Sequence, residues 1–241
     1  MLVHSPLVGP RTWEPVASAL GARGLRAAAP SLLGVAEAPA PYWPWVVERV
    51  REAVRPLPAD TPLLLVLHSN AGLFAPVLAS DLDRPVTAVL FVDAGVPAPE
   101  GPTPLAEPEF AAFLSTLAVD GRLPPWTEWW PADRLAPLFP DAATQAAVAA
   151  ECPSLPLAYF DAAVPARHGW ETSHACAYLM FSAAYGREAA AAARRAWPVA
   201  RLAGGHLHML VEPTGVAASL LHLVALAYRP GERRRRSGET A

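Results

Sequence analysis

LLLVLHSNAG, residues Leu63 to Gly72, is an apolar run that breaks sharply at His68-Ser69-Asn70 and resumes as Ala71-Gly72-Leu73-Phe74 with helical character. An apolar run without alternation reads as a strand buried on both faces, the habit of parallel sheets covered by helices. The stretch therefore encodes a strand, a tight turn and a helix, with Ser69 at the apex of the turn.

Downstream, Pro85–Val92 is the strongest strand of the chain and ends at Asp93-Ala94-Gly95. Upstream, Met1–His4 reads as a strand followed by a Pro/Gly loop, Ser5–Arg11. Thr12 is expected to cap a helix whose Trp13, Val16, Ala17 and Leu20 share one face, and Leu25–Ala29 to form a second short strand ending at Pro30. Trp45 to Val54 has the pattern of another helix. After Ser69 a helix is expected to run through Val77 and Leu78, with Pro76 as a site of kinking. Further on, Ala175–Ser182 and Val199–Leu202 read as strands, Arg187–Ala196 as a helix, and Thr214 as the cap of a final helix. Strands alternating with helices at this spacing predict an α/β fold with a mostly parallel, doubly wound sheet. Between them, residues 96–174 break into proline-punctuated helical segments with no strand signal, and such long insertions are usually functional. We expect a helical lid there.

The chain has 241 residues, 53% of them hydrophobic, enough for one domain over residues 1–229. Its formal charge of −3 argues against a nucleic-acid surface. Arginines 233–236 lie in a terminal segment, residues 230–241, expected to be a disordered tail. Cys152 and Cys176 make neither a metal motif nor a disulfide framework, which fits a reduced, cytoplasmic protein. No apolar run approaches the roughly 20 residues of a membrane span. No metal-ligand set, phosphate-cradling glycine loop or dinucleotide fingerprint is present, so neither metal nor cofactor is expected.

Three segments together carry a resemblance to the α/β-hydrolase superfamily over nearly the whole chain. His4-Ser5, with its Gly-containing loop and Trp13, resembles the oxyanion segment; His68-Ser69-Asn70-Ala71-Gly72 resembles the nucleophile elbow; Gly205-His206, with Glu212-Pro213 before the last helix, resembles the segment that delivers the catalytic histidine. The strand at the first residues looks most like the small, N-terminally short members, such as hydroxynitrile lyases, methylesterases and their actinobacterial relatives. The resemblance implies the α/β-hydrolase fold and the chain order Ser, acid, His.

It also implies roles. Ser69 is the expected nucleophile and His206, ahead of His208, the expected base. For the acid, most relatives use the turn after the strand read as Ala175–Ser182, but Ala183, Ala184 and Tyr185 stand there and no carboxylate does. Asp93, at the end of the strand after the elbow helix, is preferred; Glu188 is the alternative and Glu171 a third. Asn70 would supply one oxyanion N–H. The second donor would normally come from the position of Pro6, which has no N–H, so Leu7 or the Ser5 hydroxyl is expected to substitute. His4, Pro6, Trp126 and Trp130 are expected to line the substrate pocket. Leu67 stands where the elbow motif has a glycine and is expected to crowd the turn.

The first functional expectation is a cofactor-independent serine hydrolase acting on a small or medium apolar ester or thioester. Pro6 and Leu67 motivate a second, a lyase, elimination or cyclisation enzyme with His206 as general base and no acyl-enzyme. The third is a non-catalytic protein that binds a small apolar molecule.

Overall fold

The computed structural model describes residues 1–228, so the Arg-rich tail lies outside the described residues. In order, the chain forms β1 (Leu2–Val3), α1 (Glu14–Gly21), α2 (Trp43–Val54), β2 (Leu63–His68), α3 (Ala75–Asp81) and β3 (Val86–Val92). A long insertion follows, with β4 (Gly101–Pro104), α4 (Pro108–Leu117), α5 (Ala132–Leu135), α6 (Ala142–Ala149) and β5 (Ala163–Ala166). The core resumes with β6 (Ala175–Met180), α7 (Gly186–Arg194), β7 (Val199–Arg201), α8 (His208–Val211) and α9 (Pro213–Ala227).

Five strands make one parallel sheet in the order β1-β2-β3-β6-β7. β2 and β3 are buried at nearly every position, on both faces, as their unbroken apolar runs require. α9 packs on β3 and β6 and against α1, while α3 packs on β3 and against α2. Within α2 the buried side chains are Val46, Val47, Val50 and Val54, one apolar stripe at helical spacing.

Residues 25–29 form no strand. Their tie to the sheet is the Leu2 N–H, which donates to the Ala28 carbonyl at 2.8 Å on the side of β1 away from β2. Alanine and proline bring little β preference and little area to bury, so the pairing stops at this bond. It still places the chain first on one side of β1 and then on the other, the reversal that makes such a sheet doubly wound.

The helix ends also differ from expectation. Thr12 donates its hydroxyl to the Gly9 carbonyl inside a 3-10 turn, Pro10–Trp13, and does not cap α1. Glu212, not Thr214, precedes α9, whose first residue is Pro213. Pro76 kinks nothing: residues Ser69–Phe74 are 3-10, and Pro76 lies in the first turn of α3, where its missing N–H costs no helical bond.

The insertion does contain strands. β4 and β5 pair antiparallel, Gly101 opposite Ala166 and Pro104 opposite Ala163, and so close the two ends of the insertion into one unit. Their sequences, GPTP and AVPA, hold a proline where a strand is normally recognised by β-branched or aromatic residues. None of the described helices is long and apolar enough to cross a membrane.

Candidate active site

The turn after β2 is a strained one. Ser69 has φ of 58°, in the left-handed region that costs a non-glycine residue roughly 1–3 kcal/mol. The Gly95 N–H holds the turn by donating to the Ser69 carbonyl at 3.0 Å. Leu67 does not crowd it: that side chain is fully buried in the sheet, between partners Val3 and Phe91 in the neighbouring strands. The close approach falls at Gly72, where a Cβ would stand 2.3 Å from the Gly95 carbonyl oxygen and 2.9 Å from the Ala94 Cβ. Gly72→Ala is therefore expected to destabilise the protein by about 1–3 kcal/mol, measured by denaturant unfolding, because the obstacle is backbone.

Asp93 ends β3, also with positive φ, 43°, and is fully buried. Its Oδ1 accepts from the backbone N–H groups of Phe181, 2.8 Å, and Ser182, 3.0 Å. Its Oδ2 accepts from the Ser182 hydroxyl at 2.7 Å and faces His206 Nδ1 at 3.0 Å. A carboxylate only accepts, so His206 carries its proton on Nδ1 and presents the lone pair of Nε2.

His206 comes from the loop between β7 and α8. Its ring lies 4.5 Å from that of His68 and 5.0 Å from that of Tyr185, the last within 3° of parallel. His68 Nε2 donates to the His206 carbonyl at 3.0 Å and thereby anchors this loop. Burial, and next the neighbouring His206, hold the His68 pKa well below the usual histidine range. His208 turns elsewhere, toward Glu212 at 3.3 Å and the Phe181 ring.

Among the described residues, the Ser69 hydroxyl has its hydrogen bond with the Tyr185 hydroxyl, at 3.2 Å, and none with His206. Neither Tyr185 nor Ser182 was expected at the site. The available signal is the turn after β6, which holds Tyr185 and no carboxylate.

The alternative acids are not at His206. Glu188, within α7, makes no bond to the imidazole, whose Nδ1 is already taken by Asp93. Glu171 pairs with Arg195 at 2.7 Å.

His4 and Pro6 are likewise away from the pocket. His4 Nδ1 donates to the Ser5 carbonyl at 2.8 Å and its Nε2 accepts the Leu32 N–H at 2.9 Å, so the ring is fully engaged inside the core. Pro6 is buried and lines neither of the two openings beside Ser69. Burial lowers the His4 pKa from 6.5 to about 4. The folded state then binds fewer protons than the unfolded chain between these values, so stability is complete above pH 6.5 and falls as pH drops toward 4. The loss from His4 alone is roughly 3 kcal/mol, and His68 adds in the same direction. Urea unfolding at neutral pH and near pH 4.5 should show it as a lower midpoint in acid.

The first opening is a nook of about 10 Å³ between Ser5, Leu7, Val8, His68, Ser69, Trp126, His206 and Leu207, room for one water-sized atom. The Leu7 N–H points to the Ser5 hydroxyl at a long 3.4 Å. Asn70 is the second residue of the 3-10 turn, so its N–H precedes the first intrahelical donor. Its side chain is tied to the insertion: Oδ1 accepts from the Tyr159 hydroxyl at 2.6 Å and Nδ2 donates to the Leu105 carbonyl at 2.9 Å.

The second opening is a cleft of about 1110 Å³ that reaches Ser69, Tyr185 and His206 at its floor, with Leu73, Phe110, Trp126, Trp129 and Trp130 among its walls. Trp126 and Trp130 are thus at the pocket. Trp170 instead packs against Trp197 and donates to the Ala98 carbonyl.

An extracellular α/β-hydrolase from a Paenibacillus species, described as sharing structural and functional homology with tobacco salicylic acid binding protein 2, superposes with a TM-score of 0.67. The match covers 95% of this chain and 98% of that one at 16% identity. This chain has the α/β-hydrolase fold. Two further α/β-hydrolase-fold matches are tomato methylketone synthase I complexed with 2-tridecanone (TM-score 0.64, 17% identity, 95% and 97% covered) and a polyneuridine aldehyde esterase variant (TM-score 0.66, 16% identity, 92% and 97% covered). No family model and no curated protein matches the sequence. By their descriptions, the structural neighbours with this fold include esterases and other hydrolases.

Proposed function

We propose that the protein is a cofactor-independent serine hydrolase that cleaves a small or medium apolar ester or thioester through Ser69, His206 and Asp93. The observation that carries this reading is the 3.0 Å contact of Asp93 Oδ2 with His206 Nδ1, which leaves the basic Nε2 free beside a serine held in a left-handed turn. In this reading the Ser69 hydroxyl rotates from Tyr185 to His206 as substrate arrives. Ser69 Oγ attacks the carbonyl carbon, Nε2 takes the serine proton, and Asp93 stabilises the imidazolium. The developing oxyanion takes the N–H groups of Asn70 and of Leu7, which both line the cleft beside Ser69, and Leu7 gives up its long bond to Ser5. Water then cleaves the acyl-enzyme by the reverse proton path. The aromatic walls of the cleft favour an apolar acyl group, and the insertion serves as the lid that supplies them.

Nitrophenyl esters of graded acyl length test the reading. Turnover that rises from acetyl to medium chains, and is lost after treatment with a fluorophosphonate, is the expected result. No turnover at any chain length, with no fluorophosphonate adduct, would sink it.

One observation favours a second reading, in which His206 acts as general base for an elimination or a cyclisation. Ser69 is bonded to Tyr185 and not to His206, and one structural neighbour is a methylketone synthase holding a ketone. In that case Ser69→Ala keeps turnover of the substrate and His206→Ala loses it.

A further inference from the structure

Tyr185 lies within reach of both Ser69 and His206. It follows β6, in a turn that holds no carboxylate, and the histidine is served by Asp93 from β3, as expected. Its hydroxyl is 3.2 Å from Ser69 Oγ and its ring lies flat on the His206 imidazole. It lines the large cleft and is absent from the nook that holds Ser5 and Leu7. The hydroxyl therefore meets Ser69 from the cleft, beside the imidazole on which its ring is stacked.

We propose that Tyr185 is a catalytic hydrogen-bond donor to the leaving-group oxygen of the substrate. The proposal rests on the hydrolase reading. In acyl transfer, the bond from Ser69 Oγ to the carbonyl carbon forms and the bond from that carbon to the leaving oxygen breaks. The electron pair goes to the leaving oxygen, which takes the proton that His206 Nε2 received from Ser69. The leaving oxygen must come close to Nε2 to take that proton, and the Tyr185 ring is stacked on the same imidazole. Once Ser69 is bonded to carbon, the tyrosine hydroxyl loses its resting partner and the leaving oxygen becomes the nearest site of growing negative charge.

Tyr185 keeps its own proton throughout. Burial, the largest influence, raises its pKa well above that of an ordinary tyrosine, and the Asp93 and Glu188 charges act in the same direction. It is a donor and not the general acid, so the transfer to and from His206 balances without it.

A donor aimed at a departing oxygen matters most when that oxygen carries much charge. The test is Tyr185→Phe, which keeps the ring on His206, assayed with two esters of one acyl group, a nitrophenyl ester and an ethyl ester. The readout is kcat/KM, which covers the steps through acyl transfer to Ser69. We expect a loss of about 10–100-fold on the ethyl ester, the scale of one hydrogen bond to a charged group, and less than about 3-fold on the nitrophenyl ester. Equal losses on the two esters would overturn the proposal, because damage to packing or to the nucleophile affects both alike. Unchanged kcat/KM on both would overturn it as well. A wild-type protein that takes no fluorophosphonate label and cleaves neither ester fails at the hydrolase reading itself. A labelled, active wild type with a leaving-group-independent variant fails only for Tyr185.

Discussion

Ser69→Ala is expected to lower kcat/KM for a nitrophenyl ester by roughly 10⁴-fold or more while leaving the unfolding midpoint close to that of the wild type. The size follows from the role: without the hydroxyl no acyl-enzyme forms, and removal of a serine nucleophile leaves only binding and oxyanion stabilisation to act on direct attack by water. The small effect on stability follows from the contacts. Among the described residues the side chain makes one hydrogen bond, to Tyr185, and that partner lines the cleft, where water can replace it. Alanine also retains the backbone bond from Gly95 to residue 69. A variant that keeps more than about a tenth of the activity contradicts the nucleophile assignment and favours the general-base reading, since removal of a true nucleophile costs far more.

Asp93→Asn is expected to cost about 10³–10⁴-fold in kcat, for a different reason. The amide oxygen takes the place of Oδ1, which must accept from the Phe181 and Ser182 N–H groups, and the amide nitrogen then stands at Oδ2. A nitrogen donor facing His206 Nδ1 forces the imidazole proton onto Nε2, where the base is needed. The histidine stays in place in the wrong tautomer. Asp93→Ala should be worse for the fold: it strips the acceptor from the buried Phe181 N–H, at about 1–3 kcal/mol, and from the half-buried Ser182 N–H, at less. Steady-state kinetics and urea unfolding on both variants separate these effects. The asparagine variant should lose activity with little stability, and the alanine variant should lose both.

The parts of the molecule readable from sequence were those in which one residue's neighbours in the chain decide its environment. LLLVLH and VTAVLFV are buried on both faces, so their apolar runs needed no partner to be recognised. Ser69 and Asp93 stand at the ends of those strands, and the strand ends lie side by side in a parallel sheet, which is why their proximity followed from the pattern.

What was hidden depends on distant partners. The β4–β5 ribbon joins GPTP to AVPA across the whole insertion, and neither piece has strand character alone. His4 looked like a pocket residue until its Nε2 is seen to accept from Leu32, 28 residues away. Leu67 looked like an obstruction because the glycine expected beside the serine is needed instead at Gly72, against a carbonyl from the next strand's end. Nothing in Ala183-Ala184-Tyr185 alone marks the tyrosine, because its partners Ser69 and His206 are distant in the chain. The three-dimensional structure shows a hydroxyl there facing Ser69, with the carboxylate supplied from the neighbouring strand.

Intact-mass analysis after incubation with a fluorophosphonate, followed by peptide mapping, tests the central claim most directly. The account predicts one adduct per chain, on Ser69, formed by the wild type and missing from both the Ser69→Ala and the His206→Ala proteins. An adduct on another residue, or one that persists when Ser69 is alanine, would contradict it.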